Sequence, residues 1–155
     1  MFEGEEGCSG QAHAVDGVIV SEVAVLFAGD DEEFAALAGV APELAARARD
    51  VACGFLRVLV PHGGPEAEAV LLVVSELVTN AVRHGGGLTD FGLEAGQGTV
   101  TVLVQDASCQ PPRRLPFDRA RPGGFGWLMV RELALNVQVS IGPSGKTVSA
   151  VLPLP

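Results

Sequence analysis

From Pro42 onward the chain falls into periodic segments separated by proline and glycine. Leu44, Ala48, Val51, Phe55 and Val58 recur at three- and four-residue spacing, which predicts a helix that carries Pro42 in its first turn and stops before Pro61. A second helical pattern runs from about Glu66 to His84 and ends in the glycines 85 to 87, as a helix C-terminus does. The period then shortens to two. "LTDFGLEA", a turn at "GQG" and "TVTVLVQD", with Val100, Val102 and Val104 on one face, predict a β-hairpin. A glycine-led helix is expected in "GGFGWLMVRELAL", followed by a second hairpin, "NVQVSI" and "KTVSAVLPL" around "GPSG". Upstream, "VIVSEVAVLFAG" is β-rich and predicts an edge strand. The order strand, helix, helix, two strands, helix, two strands implies an α+β fold: a two-layer sandwich of one mostly antiparallel mixed sheet with helices on one face.

The 155 residues, 48% of them hydrophobic, are enough for one domain with a continuous core. Charge divides the chain. Of the 19 acidic side chains nine lie in residues 1–33, which hold no Lys or Arg, and the other ten balance ten Lys and Arg. Residues 1–17 are read as an acidic, disordered leader, and 18–155 as a single domain. Arg113, Arg114, Arg119 and Arg121 cluster in a proline-rich loop. They are either solvated surface or a mobile positive flap over something anionic. With no other basic face to assemble, direct nucleic-acid binding is not expected. The longest apolar runs fall short of the roughly 18 residues of a membrane span, and the acidic N-terminus is unlike a secretory signal. A cytoplasmic protein with no membrane association is expected. Cys8, Cys53 and Cys109 have no metal-ligand spacing and are assigned no role.

The second helix carries the chemistry. At 100° per residue Glu76, Thr79, Asn80 and Arg83 share about a third of its circumference, opposite Val70, Val74, Leu77, Val78 and Ala81. The patch can be an ordinary solvated face. It is also confined to the last two turns, and it combines a carboxylate, an amide and two potential cations. An amide oxygen such as that of Asn80 suits Mg²⁺, which takes most of its other ligands from water and substrate phosphates. A carboxylate one turn away, Glu76, can accept a proton from an attacking hydroxyl. Gly123, Gly124 and Gly126, ahead of a helix, are either a flexible linker or a place where backbone amides and the helix dipole meet phosphate. Asp106, at the end of a strand, either opens a turn or accepts a hydrogen bond from the exocyclic amine of adenine.

Two apparent motifs fail on inspection. "GPSGKT" has Ser140 where a P-loop needs its first glycine, and no helix follows. "GFGWLM" has Met129 in place of the third glycine of a dinucleotide fingerprint.

The succession Glu76-x-x-x-Asn80-Ala81-x-x-His84, a strand ending in Asp106, a variable loop, Gly124-x-Gly126-x-x-x-Val130 and then G-K-T-V resembles the ATP-binding domain of the GHKL superfamily. That superfamily groups gyrase, heat-shock chaperones, histidine kinases and mismatch-repair ATPases. The wording "VVSELVTNAVRHG", the short lid and the stand-alone length are more narrowly similar to anti-sigma-factor serine kinases and their actinobacterial ATP-binding relatives. The likeness covers roughly residues 20 to 155. It implies a Bergerat-type ATP-binding fold with ATP and Mg²⁺ as cofactors. Glu76 is then the general base, Asn80 the Mg²⁺ ligand and Asp106 the adenine reader. Gly124 and Gly126 become the backbone that phosphates approach, and Thr147 a hydroxyl near the adenine side. Arg119 and Arg121 become lid cations, and His84 keeps only a supporting place.

The resemblance also implies partners: a sigma factor, and an antagonist protein phosphorylated on serine, in a partner-switching circuit, with homodimerisation as a family trait. A non-catalytic module that sequesters a partner is the alternative. One departure bears on the choice. The D-x-G-x-G usual after the strand reads D-A-S-C-Q, Asp106 to Gln110, and without its glycines that loop is expected to be less permissive.

Overall fold

The computed structural model describes residues 19–20, 41–112 and 125–155. The expected edge strand is described only as β1, Ile19–Val20, and the 1–17 leader and the arginine loop from 113 to 124 lie outside the described residues.

Helix α1, Ala41–Leu59, begins with Pro42 in its first turn as the pattern predicts. Its buried face differs from the predicted stripe. Leu44 and Ala48 are interior, but Ala45, Ala52 and Leu56 complete the face, Val51 and Phe55 are half-buried, and Val58 is 80% exposed. Three alanines on the contact line leave room for α1 to lie closely against α2, and small residues gain that proximity where branched ones would hold the helices apart. Arg49 Nη1 crosses the same contact to donate to Ser75 Oγ at 3.3 Å.

Helix α2, Pro65–His84, opens with proline at its first position, where the missing N–H costs nothing. Val70, Val73, Val74, Leu77, Val78 and Ala81 are buried along it. Its end is closed by the Gly85 and Gly87 N–H groups, both donating to the Ala81 carbonyl. Gly86 and Gly87, at φ 72° and 119°, then turn the chain into the sheet through conformations that side chains resist.

Strands β2, Leu88–Gly96, and β3, Thr99–Asp106, form the first predicted hairpin. After α3, Phe125–Leu133, strands β4, Asn136–Gly142, and β5, Gly145–Pro153, form the second. The spatial order is β1-β2-β3-β5-β4, and every described pairing is antiparallel. The sheet expected to be mostly antiparallel and mixed therefore contains no parallel pair among the described residues. Val100, Val102 and Val104 of β3 and Val148, Ala150 and Leu152 of β5 are buried on the helix side, while the residues between them are half-buried. That alternation is the period-two signature of a sheet covered on one face. Val130 brings α3 into the same core.

Candidate functional site

Packing Val74, Leu77, Val78 and Ala81 onto the sheet leaves a polar flank along the C-terminal half of α2. Glu76 and Asn80 sit there, four residues apart and both half-buried, with Thr79 half-buried between them and Arg83 and His84 exposed beyond. Residues at that spacing are neighbours on a helix surface.

The Glu76 carboxylate reaches across to α3. A Cβ placed on Gly126 would stand 2.9 Å from Glu76 Cδ, closer than ordinary contact, and 3.6 Å from Cγ. Gly126 is the second residue of α3, so its missing side chain is what lets the carboxylate lie against the first turn of that helix. No acidic residue of α3 itself occupies that turn. Glu76 therefore brings the negative charge that a helix N-terminus favours, at a place where unpaired backbone N–H groups also point outward.

At the other end of the flank is Asp106. It closes β3 on the helix side of the sheet and is buried. Its carboxylate lies against Gly85, where an added Cβ would overlap it. Gly85 lies nine positions after Glu76, so the flank extends for roughly 13 Å at about 1.5 Å per residue.

The D-A-S-C-Q loop keeps its shape without the expected glycines. Asp106 Oδ1 accepts from the Ser108 N–H at 2.9 Å, and Ser108 Oγ accepts from the Gln110 N–H at 3.2 Å. The Ala107 N–H donates to the Gly87 carbonyl, and the Cys109 thiol to that of Pro143. Each short polar side chain turns the backbone one step. Among the described residues no residue other than glycine has a positive φ, so the loop needs none of the freedom it was expected to lose. Asp106 does open a turn, one of the two roles open to it from sequence.

The carboxylate has a second partner that sequence reasoning missed. Lys146 Nζ lies 2.7 Å from Asp106 Oδ2, with the two side chains 7% and 6% exposed. The β3–β5 register sets Asp106 directly opposite Lys146. Gly145, at φ 146°, makes the approach possible, because a Cβ there would collide with the Asp106 backbone. A signal was present: Lys146 is the only lysine of the chain and shares the odd-even phase of Val148, Ala150 and Leu152, which assigns it to the interior face.

The same alternation sets the sheet face of Thr147. Expected near the adenine side, it pairs with Gln105 and falls on the sheet face opposite Asp106, because adjacent strand residues point to opposite sides. Gly124, Arg119 and Arg121 lie outside the described residues.

The donor set is lean. Among the described residues no three His, Cys, Asp or Glu side chains gather as a metal cluster. One amide oxygen from Asn80, with a carboxylate one turn away, fits a hard cation that keeps water and phosphate oxygens as its main ligands. Chemically the flank offers a base at one end, beside a helix N-terminus able to receive an anion, and a buried hydrogen-bonding pair at the other. No described helix is long and apolar enough to cross a membrane.

Residues 39–152 match the histidine kinase-like ATPase domain family. Among solved structures, the histidine kinase domain of the Erythrobacter litoralis EL346 blue-light activated histidine kinase is 25% identical, with 57% of this chain and 45% of that chain covered and a TM-score of 0.42. The EL346 blue-light activated histidine kinase itself is 26% identical over 57% of this chain and 30% of its own, with a TM-score of 0.40. The chain thus spans less than half the length of either. No curated protein gives a match.

Proposed function

This chain belongs to the histidine kinase-like ATPase domain family, a GHKL-type ATP-binding domain, and on that premise we propose that it is an ATP- and Mg²⁺-dependent regulator of the anti-sigma type. It phosphorylates a serine of an antagonist protein and binds a sigma factor, with nucleotide state choosing between the two. The observation that carries this reading is Glu76, whose carboxylate lies against Gly126 at the start of α3 with Asn80 one turn on.

In this mechanism the base of ATP sits at the Asp106 end of the flank and its phosphates at the N-terminus of α3, approached through Gly124 and Gly126. The serine Oγ bonds to the γ-phosphorus as the bond from that phosphorus to the β–γ bridging oxygen breaks. The hydroxyl proton passes to Glu76, and ADP leaves. Arg119 and Arg121 neutralise charge on the transferring group. Asn80 would hold Mg²⁺, which when bound offsets the negative charge of the phosphates.

The test is ATP hydrolysis measured beside calorimetric ATP binding. Glu76→Gln is expected to lower turnover by roughly 10²- to 10⁴-fold, the usual contribution of a positioned base, with ATP affinity retained. Equal turnover would remove Glu76 from the base role. The engagement of Asp106 by Lys146 favours a second reading, a module that binds its partner without phosphorylating it. ATP binding with no phosphate released or transferred by the wild type would decide for that module.

A further inference from the structure

A protein reads a base with a polar group that the right base satisfies and the wrong one leaves unpaired. A free carboxylate is such a reader. It accepts from the N6 amine of adenine and repels the O6 carbonyl of guanine, and when it is buried the mismatch discriminates by roughly 10⁴. Asp106 is not free. Its Oδ1 accepts from the Ser108 N–H and its Oδ2 from the Lys146 ammonium, and each side chain of the ion pair is less than a tenth exposed. Two constraints hold the lysine there: the β3–β5 register sets it opposite Asp106, and Gly145 lets the two strands close at that point.

The backbone around the pair is committed as well. The Gly85 and Gly87 N–H groups donate to the Ala81 carbonyl, and the Ala107 N–H donates to that of Gly87. Among the described residues no buried side-chain nitrogen or oxygen lacks a hydrogen-bond partner, so none is held in reserve for a base. The opposite end of the flank differs. Glu76, Thr79 and Asn80 are half-buried, and Gly126 opens the first turn of α3, where negative charge is favoured. Groups suited to phosphates are within reach of a ligand, while the carboxylate suited to a base is consumed inside the chain.

Resting on the proposed placement of nucleotide phosphates at α3, we propose that this site takes nucleoside triphosphates by their phosphates without choosing the base, and that Lys146 is the residue that removes the choice. The ammonium supplies from within the chain the hydrogen bond that an adenine amine would otherwise donate to Asp106. The base lies at that end of the flank without a hydrogen bond to the carboxylate. ATP and GTP then leave the same buried groups paired, and neither is penalised.

The experiment is calorimetric titration of the full chain with ATP and with GTP, each with Mg²⁺. Wild-type affinities within about tenfold of each other are expected, against the roughly 10⁴ of a carboxylate that reads the base. A preference above about tenfold for either nucleotide overturns the proposal and leaves nucleotide binding intact. Lys146→Ala removes the ammonium together with the stem that fills the space beside Oδ2. It is expected to raise the ratio of ATP to GTP affinity at least about tenfold, because the released carboxylate accepts from N6 and repels O6. Lost stability weakens both nucleotides alike and leaves the ratio where it was, so an unchanged ratio in a folded Lys146→Ala makes the lysine a structural cross-link only and overturns its role. Lys146→Arg keeps a cation on Asp106 and is expected to stay within about tenfold of equal affinities; it serves with the wild type should Lys146→Ala fail to fold, and an adenine preference above that in it also overturns the proposal. Binding of neither nucleotide by the wild type overturns both the proposal and the nucleotide-binding reading on which it rests.

Discussion

Removing one member of the Asp106–Lys146 pair should destabilise the domain far more than removing both. In Lys146→Met the unbranched stem is retained, so packing changes little, but a buried carboxylate is left with the Ser108 N–H as its described partner. Uncompensated buried charges of this kind cost about 3–5 kcal/mol. At about 1.4 kcal/mol per tenfold, the lower figure is a factor of roughly 150 in the folding equilibrium. With a urea m-value of about 2 kcal/mol/M, the midpoint falls by roughly 1.5 M. Asp106→Asn, which leaves the ammonium unpaired, is expected to lie in the same range. The double variant Asp106→Asn/Lys146→Met is expected to recover most of the loss, because no buried charge remains. Trp127, the one tryptophan, sits half-buried on α3 and reports unfolding by fluorescence. Far-UV circular dichroism on the same samples checks that the transition is two-state. Single variants costing less than about 1 kcal/mol each, the scale of screened surface pairs, would refute the reasoning and place the pair in effective contact with solvent.

Gly126→Ala is expected to leave stability nearly unchanged and to lower ATP turnover. Alanine favours a helix by up to about 1 kcal/mol, while its Cβ displaces only the flexible end of Glu76; unaltered turnover would show that the carboxylate works from elsewhere. Gly145→Ala should cost about 1–3 kcal/mol in urea unfolding, since φ 146° is strained for a side chain and the Asp106 backbone fills the space. Leu44→Ala should cost about 2–5 kcal/mol, because Leu44 is 1% exposed. Val58→Ala should stay within about 0.5 kcal/mol, and equal effects of the two would return α1 to the face its sequence pattern predicted.

The element order, both hairpins and the polar flank of α2 were legible in the sequence because each rests on a local periodicity. A turn of 3.6 residues sets Glu76 beside Asn80, and an alternation of two sets Val100, Val102 and Val104 on one face, whatever the rest of the chain does. The family was legible for the same reason, since the spacing Glu76-x-x-x-Asn80 lies within one helix. Other features depended on segments far apart in the chain. Which side of α1 is buried was decided by its packing on α2, where alanines admit a close approach and Val58 is left outside. That Glu76 lies on Gly126 was decided by the packing of α3 against α2, fifty residues later. The register of β5 on β3 put Lys146, and not Thr147, against Asp106. A one-residue shift of that register would reverse the faces of every side chain on β5, and the apolar positions Val148, Ala150 and Leu152 hold it. Local spacing thus determined what chemistry the chain carries, while long-range register and helix packing decided which of those groups meet.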